Sequence, residues 1–300
     1  MSKPRIAVVG AGLMGHGIAQ VFALAGHDVT ITDSHAPTLA STRDRILANL
    51  KDLGDDMNAI ERVRVCALLA EAVADADFIV EAVREDLGVK QELFAEIERA
   101  ARPDAIFASN TSVIPITAIM GGLEHRGRAL GTHWWNPPYL VPLVEVIATA
   151  WTSPDAIAFT MKLHADVGKT PVHVKKDVPG FVGNRLQHAL WREAISLVEN
   201  DICDAETVDT VIKAAFGRRL AVLGPLENAD LVGTDLTLAI HQTVLPAIDA
   251  RPGPSPYLEK LVAQGKLGMK AGEGFRTWTP EQQAELRARV LRHLKAARES

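Results

Sequence analysis

The chain has 300 residues, 47% apolar and 23% charged, with a formal net charge of −5 at pH 7. That length suggests two domains, and the weakly acidic balance supplies no field to recruit nucleic acid or an anionic membrane surface. No run approaches the roughly 20 apolar residues that cross a bilayer, and the first apolar run is too short for a signal-peptide core. Cys66 and Cys203 stand in no metal-like or redox-like spacing, and the ten His residues form no H-E-x-x-H pattern. The sequence therefore reads as a cytoplasmic protein with reduced thiols and no protein-bound metal.

The first predicted strand is "RIAVVG" (5–10), and it runs directly into Gly10-Ala11-Gly12-Leu13-Met14-Gly15. Gly10 permits a tight turn, Gly12 lets backbone approach a pyrophosphate, and Gly15 allows the following helix to pack closely on the strand. The helix opened by Leu13 and Met14, "LMGHGIAQVFALAG", offers free N–H groups and a positive dipole end to phosphates, and Gly26 closes it. The second strand, "DVTITD" (28–33), ends on Asp33, 18 residues beyond Gly15. A carboxylate there accepts both ribose hydroxyls of an adenosine and repels a 2′-phosphate, which makes the expected cofactor NAD.

Further strands are predicted at 62–67, 78–83, 105–110 and 129–135, with a helix closed by Pro103 between the fourth and fifth. Strand–helix alternation of this kind predicts a Rossmann-like, doubly wound parallel sheet with helices on both faces. Gly168-Lys169-Thr170 imitates the tail of a triphosphate-binding loop, but Leu163 stands where its first glycine is required. Beyond Gly180 the segments are helical: 184–200, 204–216, 229–249, 256–265 and 280–300. The expected domains are 1–180, binding the dinucleotide, and 181–300, an all-helical substrate and dimerisation domain.

"GTHWWNPPYLVPLVEV" (131–146) sets His133 and Glu145 in the most apolar neighbourhood of the chain. If "YLVPLVEVI" is a strand, Glu145 shares a face with Leu143 and Ile147, and a buried carboxylate there needs a partner. The Pro137-Pro138 turn can fold His133 beside it. Such a pair is either a hydrogen-bonded core pair or a proton-handling site, in which the carboxylate fixes one imidazole nitrogen and leaves the other as a base.

Seven segments in order, "GAGLMGHGIA", "FIVEAVREDLGVKQELFAEIE", "ASNTS", "THWWNPPYLVPLVEV", "DVPGFVGNRL", "GPLENADLVGTD" and "KLGMKAGEGF", resemble the L-3-hydroxyacyl-CoA dehydrogenase family over nearly the whole chain. The forms "NPPYLVPLVEV" and "GFVGNRLQHAL" are closest to the branch that holds lambda-crystallin and L-gulonate 3-dehydrogenase, and more distantly carnitine dehydrogenases. The resemblance implies that His133 is the catalytic base, that Glu145 orients it, and that Ser112 and Asn184 hold the reacting oxygen. It also implies that Glu85, Lys90 and Lys270 lie along the cofactor, with Asn110, Ser112 and Asn136 near its nicotinamide end. It implies a homodimer acting on a small molecule. Ser112 as a helix cap, Asn184 as an N-cap and Lys90 as a solvated charge are the structural alternatives.

Two departures from the family bear on substrate. Only 47 residues separate Asp33 from Glu81, and their basic residues Arg43, Arg45, Lys51, Arg62 and Arg64 are interleaved with Asp44, Asp52, Asp55, Asp56 and Glu61. That mixture is a poor cradle for three phosphate groups. Trp134 and Trp135 follow His133 directly, so two indoles either fill the core or shape a substrate pocket. The sequence is thus compatible with a 3-hydroxyacyl-CoA, a free 3-hydroxy acid, gulonate or carnitine. A non-catalytic crystallin-like NAD-binding protein is the alternative from another class.

Overall fold

The computed structural model describes residues 3–299. The chain forms two compact units: one comprises the chain through Arg185, rejoined by the segment from His293 onward, and the other is Leu186–Arg292. Among the described residues no helix is long and apolar enough to cross a membrane.

In the first unit the apolar runs form eight strands: β1 (Ile6–Val9), β2 (Val29–Thr32), β3 (Val63–Val65), β4 (Phe78–Glu81), β5 (Ile106–Ser109), β6 (Ala129–Trp134), β7 (Leu143–Ile147) and β8 (Thr170–Val174). They assemble in the order β3-β2-β1-β4-β5-β6-β7-β8. The six strands expected from the sequence pair in parallel, and the reversal at β1 and β4 is the switch point of a doubly wound sheet. β7 then runs antiparallel to β6, and β8 parallel to β7. β8 went unpredicted because "TPVHV" carries a proline and faces solvent at most positions, which only an edge strand tolerates.

The helices of this unit are α1 (Leu13–Leu24), α2 (Ala36–Ala40), α3 (Thr42–Leu53), α4 (Leu69–Val73), α5 (Leu87–Ala100), α6 (Ile116–Met120) and α7 (Pro154–Asp166). They cover both sheet faces. On one face α1 and α3 pack Ile18, Phe22, Ile46 and Leu50 against Val8, Ile31, Phe78 and Trp134. On the other, α5 and α6 pack Phe94, Ile97, Ile116 and Ile119 against Ala7, Val9, Ile79 and Phe107. With both faces buried, β1, β4, β5 and β6 are near-continuous apolar runs, so a polar side chain within them has to be explained. Glu81, Ser109 and His133 are such residues.

The second unit is helical, with α8 (Gly183–Glu199) leading into it, then α9 (Ala205–Ala214), α10 (Pro225–Val232), α11 (Thr234–Val244), α12 (Pro256–Ala263) and α13 (Pro280–Glu299). The single helix expected over 229–249 is two, because Gly233 at φ +101° breaks the hydrogen-bond ladder between α10 and α11. Leu261 is the one buried apolar residue among its described positions.

Phe22 centres the first core, its ring 5.8 Å from both Trp134 and His27 and 6.3 Å from Phe78. Phe22→Ala should lower unfolding free energy by about 3–5 kcal/mol, measured as a reduced urea midpoint with unchanged slope.

Candidate active site

The three glycines of the first loop play different parts. A Cβ on Gly15 would sit 1.7 Å from the Gly10 carbonyl oxygen, and one on Gly10, itself at φ +102°, would sit 2.6 Å from the Ala82 carbonyl oxygen. These two are needed for the turn and for helix–strand contact. A Cβ on Gly12 would meet nothing within 4 Å, so the smallness of Gly12 serves something that approaches from outside. Leu13 is exposed and Met14 packs against the core.

Beside this loop lies a cavity of about 650 Å³ lined by Gly10, Gly12, Thr32, Asp33, Ala82 and Val83, among others. Asp33 accepts hydrogen bonds from Ala11 N (2.7 Å) and His35 N (2.8 Å), one on each carboxylate oxygen. Each oxygen keeps a lone pair for a further donor, so the carboxylate is held rigid and can still accept from a ribose. The cradle fits a dinucleotide.

Below the C-terminal ends of β4 and β5 the sheet buries an ionic network. Glu81 Oε1 accepts from Lys90 Nζ at 2.6 Å and from Val83 N at 2.7 Å, and Glu81 Oε2 accepts from Ser109 Oγ at 2.6 Å. Lys90 is 1% exposed and also lies 3.4 Å from Glu85. Lys90 is therefore neither a solvated helix charge nor a groove residue; it braces the site from within. Glu85 accepts from Thr111 Oγ1 (2.6 Å), Ser112 N (2.9 Å) and Val113 N (3.2 Å), and so fixes the "SNTS" loop. Burial opposes its ionisation, but these bonds and Lys90 hold its carboxyl below the usual range. Glu81 and Ser109 were missed in the sequence, although the signal was there: a carboxylate ending an otherwise apolar buried strand requires partners, the argument already applied to Glu145.

His133 and Glu145 stand directly opposite each other on the antiparallel pair β6–β7. His133 Nδ1 and Glu145 Oε2 are 2.7 Å apart, both side chains buried. The other carboxylate oxygen accepts from Val182 N (2.9 Å) and Gly183 N (3.0 Å), where the chain enters α8. Burial disfavours the charged carboxylate, yet the bonds from His133, Gly183 and Val182 keep it below the ordinary range. With Nδ1 committed to Glu145, Nε2 is the nitrogen left for a substrate proton.

The remaining expected residues divide. Asn184 Nδ2 donates to the Ser112 carbonyl at 2.8 Å, so these two meet close to the dyad. Asn184 lies inside the first turn of α8 and is not its N-cap, and Ser112 does not cap α6, which starts at Ile116. Asn110 Oδ1 accepts from Trp134 N (2.9 Å), anchoring β6. Asn136 is exposed before the cis Asn136–Pro137 bond. Lys270 is exposed in the second unit.

The tryptophans part company. Strand alternation turns Trp134 away from His133 into the core against Phe22 and His164, so it lines no substrate pocket. Trp135 stays at the site, its ring 5.3 Å from that of His133. A Cβ on Gly183 would lie 2.5 Å from the Trp135 ring, so that glycine is what lets the indole lie there. Phe181, at φ +50°, places its ring 5.7 Å from His133 on another side. Its left-handed backbone beside a dyad is strain of the kind that marks functional segments. Among the described residues no group of three His, Cys, Asp or Glu could hold a metal ion.

Comparison with known proteins gives the family. Residues 5–178 match the family model of the 3-hydroxyacyl-CoA dehydrogenase NAD binding domain, and residues 180–278 match that of the 3-hydroxyacyl-CoA dehydrogenase C-terminal domain. The 5-formyl-3-hydroxy-2-methylpyridine 4-carboxylate 5-dehydrogenase of Mesorhizobium japonicum is 35% identical over 98% of this chain and 96% of its own. Human mitochondrial hydroxyacyl-coenzyme A dehydrogenase is 37% identical over 90% of each chain. A crystal structure of a 5-formyl-3-hydroxy-2-methylpyridine 4-carboxylic acid 5-dehydrogenase, described as an NAD+ dependent dismutase, superposes with a TM-score of 0.92 at 34% identity, covering 99% of this chain and 98% of that one.

The lowered Glu145 carboxyl carries a pH signature. A group whose folded pKa lies below its unfolded value adds stability that is complete above about pH 4.5 and is lost as pH falls. Glu145→Gln removes that contribution, so urea unfolding of the variant should depend less on pH below about 4.5 than the wild type does. Equal acid slopes would show that the carboxylate is not held ionised.

Proposed function

The chain belongs to the 3-hydroxyacyl-CoA dehydrogenase family, and on that premise we propose that it oxidises the secondary alcohol of a compact 3-hydroxy acid with NAD, rather than that of a CoA thioester. NAD, when bound, supplies the hydride acceptor. His133 Nε2 takes the hydroxyl proton as the carbon–hydrogen bond breaks. Glu145, held by the Val182 and Gly183 N–H groups, keeps the imidazole in the required tautomer and stabilises it once it is charged. Ser112 and Asn184, joined through the Ser112 carbonyl, hold the reacting oxygen. Glu81, Lys90 and Glu85 do no chemistry; they fix the loop that carries Ser112.

The observation that carries the substrate reading is the fate of the basic residues between Asp33 and Glu81. Arg43 donates to the Ile60 and Val63 carbonyls, and Arg45 to the Ala11, Gly12 and Thr38 carbonyls. Two of the five cations are thus spent on backbone, which leaves fewer to hold three phosphate groups. Trp135 and Phe181 also crowd His133, which favours a short substrate. The Mesorhizobium relative, matched end to end, is named for a compact ring carboxylate, the same size and charge class. Gulonate belongs to that class; carnitine matches it in size but adds a quaternary ammonium to the carboxylate. A purely structural NAD-binding role would not require the dyad, which is intact.

The second unit leaves apolar side chains in water: Leu226 is 80% exposed, Leu231 73% and Ile202 68%. This supports a homodimer in which a second copy covers them. The free thiols of Cys66 and Cys203 support a cytoplasmic setting.

A panel of 3-hydroxyacyl-CoAs, free 3-hydroxy acids, gulonate and carnitine, read by NADH formation, tests the assignment. Turnover should be highest on a free acid, and His133→Ala should lower kcat by about 10²–10⁴ with NADH affinity unchanged. Preference for a CoA thioester would overturn the substrate; retained turnover in His133→Ala would overturn the base. Sedimentation at micromolar concentration should give the dimer mass, and a monomer would remove that claim.

A further inference from the structure

Lys169, in the Gly-Lys-Thr segment that fails as a phosphate loop, occupies the turn between α7 and β8. Its ammonium donates to the Pro138 carbonyl and to the Val141 carbonyl (3.1 Å), and lies 5.4 Å from the Trp134 ring centre. Among the described residues no carboxylate pairs with it. It opens into a cavity of about 380 Å³ at the carboxy-terminal end of α1, the opposite end from the glycine loop. A second polar group meets the same cavity. Gln20 is 1% exposed, its Oε1 accepts from Asn49 Nδ2 at 3.0 Å, and its Nε2 is buried with no partner. The acidic residue on the cavity wall, Asp55, is already gripped by Arg298 through two bonds of 2.9 and 2.5 Å. Val21, Leu24, Leu140 and Val167 form an apolar part of the wall, and Tyr139 and Arg298 line it too.

A partly buried ammonium with two carbonyls but no carboxylate on it, and a buried amide N–H without an acceptor, belong to residues lining one pocket that is apolar on part of its wall. A single group answers both: a carboxylate accepts from ammonium and amide together, while a short aliphatic chain covers the apolar wall. We propose that this cavity is a second ligand site, separate from the His133 site, and that it binds a short-chain aliphatic carboxylate.

Proton linkage follows. Burial, and then the nearby Arg298 charge, pull the Lys169 ammonium down to about 8. Burial holds the His164 imidazole of α7 neutral, at about 4, and raises the Tyr139 hydroxyl further above 10. Asp52 and Asp55 are paired with Lys295 and Arg298. Carboxylate affinity should therefore fall as Lys169 loses its proton.

Calorimetric titration of the full-length protein with hexanoate, and with hexanamide as the neutral isostere, tests the site. Hexanoate should bind at millimolar concentration or below at pH 7, hexanamide at least about tenfold more weakly, and hexanoate affinity should drop between pH 7 and about 9. Lys169→Met should abolish binding. Leu24→Trp, which fills the apolar end and leaves the Lys169 bonds in place, should abolish it too. His133→Ala should bind hexanoate as the wild type does. Absence of hexanoate binding to wild type overturns the proposal. So does equal binding by either folded cavity variant, or loss of binding in His133→Ala, which would move the ligand to the catalytic dyad.

Discussion

Glu145 is the constraint on which the surroundings of His133 rest. A carboxylate inside a sheet is tolerable only with donors on both oxygens, and here they come from three places: the His133 ring on β6, and the Val182 and Gly183 N–H groups at the start of α8. One side chain on β7 therefore fixes the imidazole orientation and ties down the "GFVG" segment. That segment in turn brings Phe181 against His133, and Gly183 makes room for Trp135. Remove the charge and the imidazole loses its tautomer while the chain entering α8 loses its anchor.

A second buried carboxylate, Glu81, does for the cofactor side what Glu145 does for the substrate side. It ends β4, draws in Lys90 from α5 and Ser109 from β5, and through Lys90 steadies Glu85. Glu85 then organises three consecutive groups of the "SNTS" loop. Reactive side chains on loops gain precision from such ionic supports beneath them, because loops have little packing of their own.

Much of this was legible in the sequence because it depends on local pattern. The six parallel strands show as apolar runs, the glycine loop by its spacing, and the His133–Glu145 pair because a carboxylate in an apolar run needs a partner. What was not legible depends on register and on edges. β8 hides behind Pro171, tolerated only because the strand lies at the sheet margin. The split between Trp134 and Trp135 depends on which face of β6 meets α1. Lys90 was expected along the cofactor, with a solvated charge as the alternative, because helical spacing does not reveal that a buried Glu81 lies beneath it. Asn184 was expected beside Ser112 with a helix cap as the alternative, and its amide does reach across to the Ser112 carbonyl.

The antiparallel pairing of β6 and β7 has an evolutionary consequence. The acid and the base are joined by a cross-strand register, not by the shape of the connection between them. Residues 135–142 can change without shifting His133 relative to Glu145, since the backbone ladder sets their distance. Trp135 lies in that connection and borders the dyad. A lineage built on this hairpin can edit the linker while inheriting the His133–Glu145 pair unaltered.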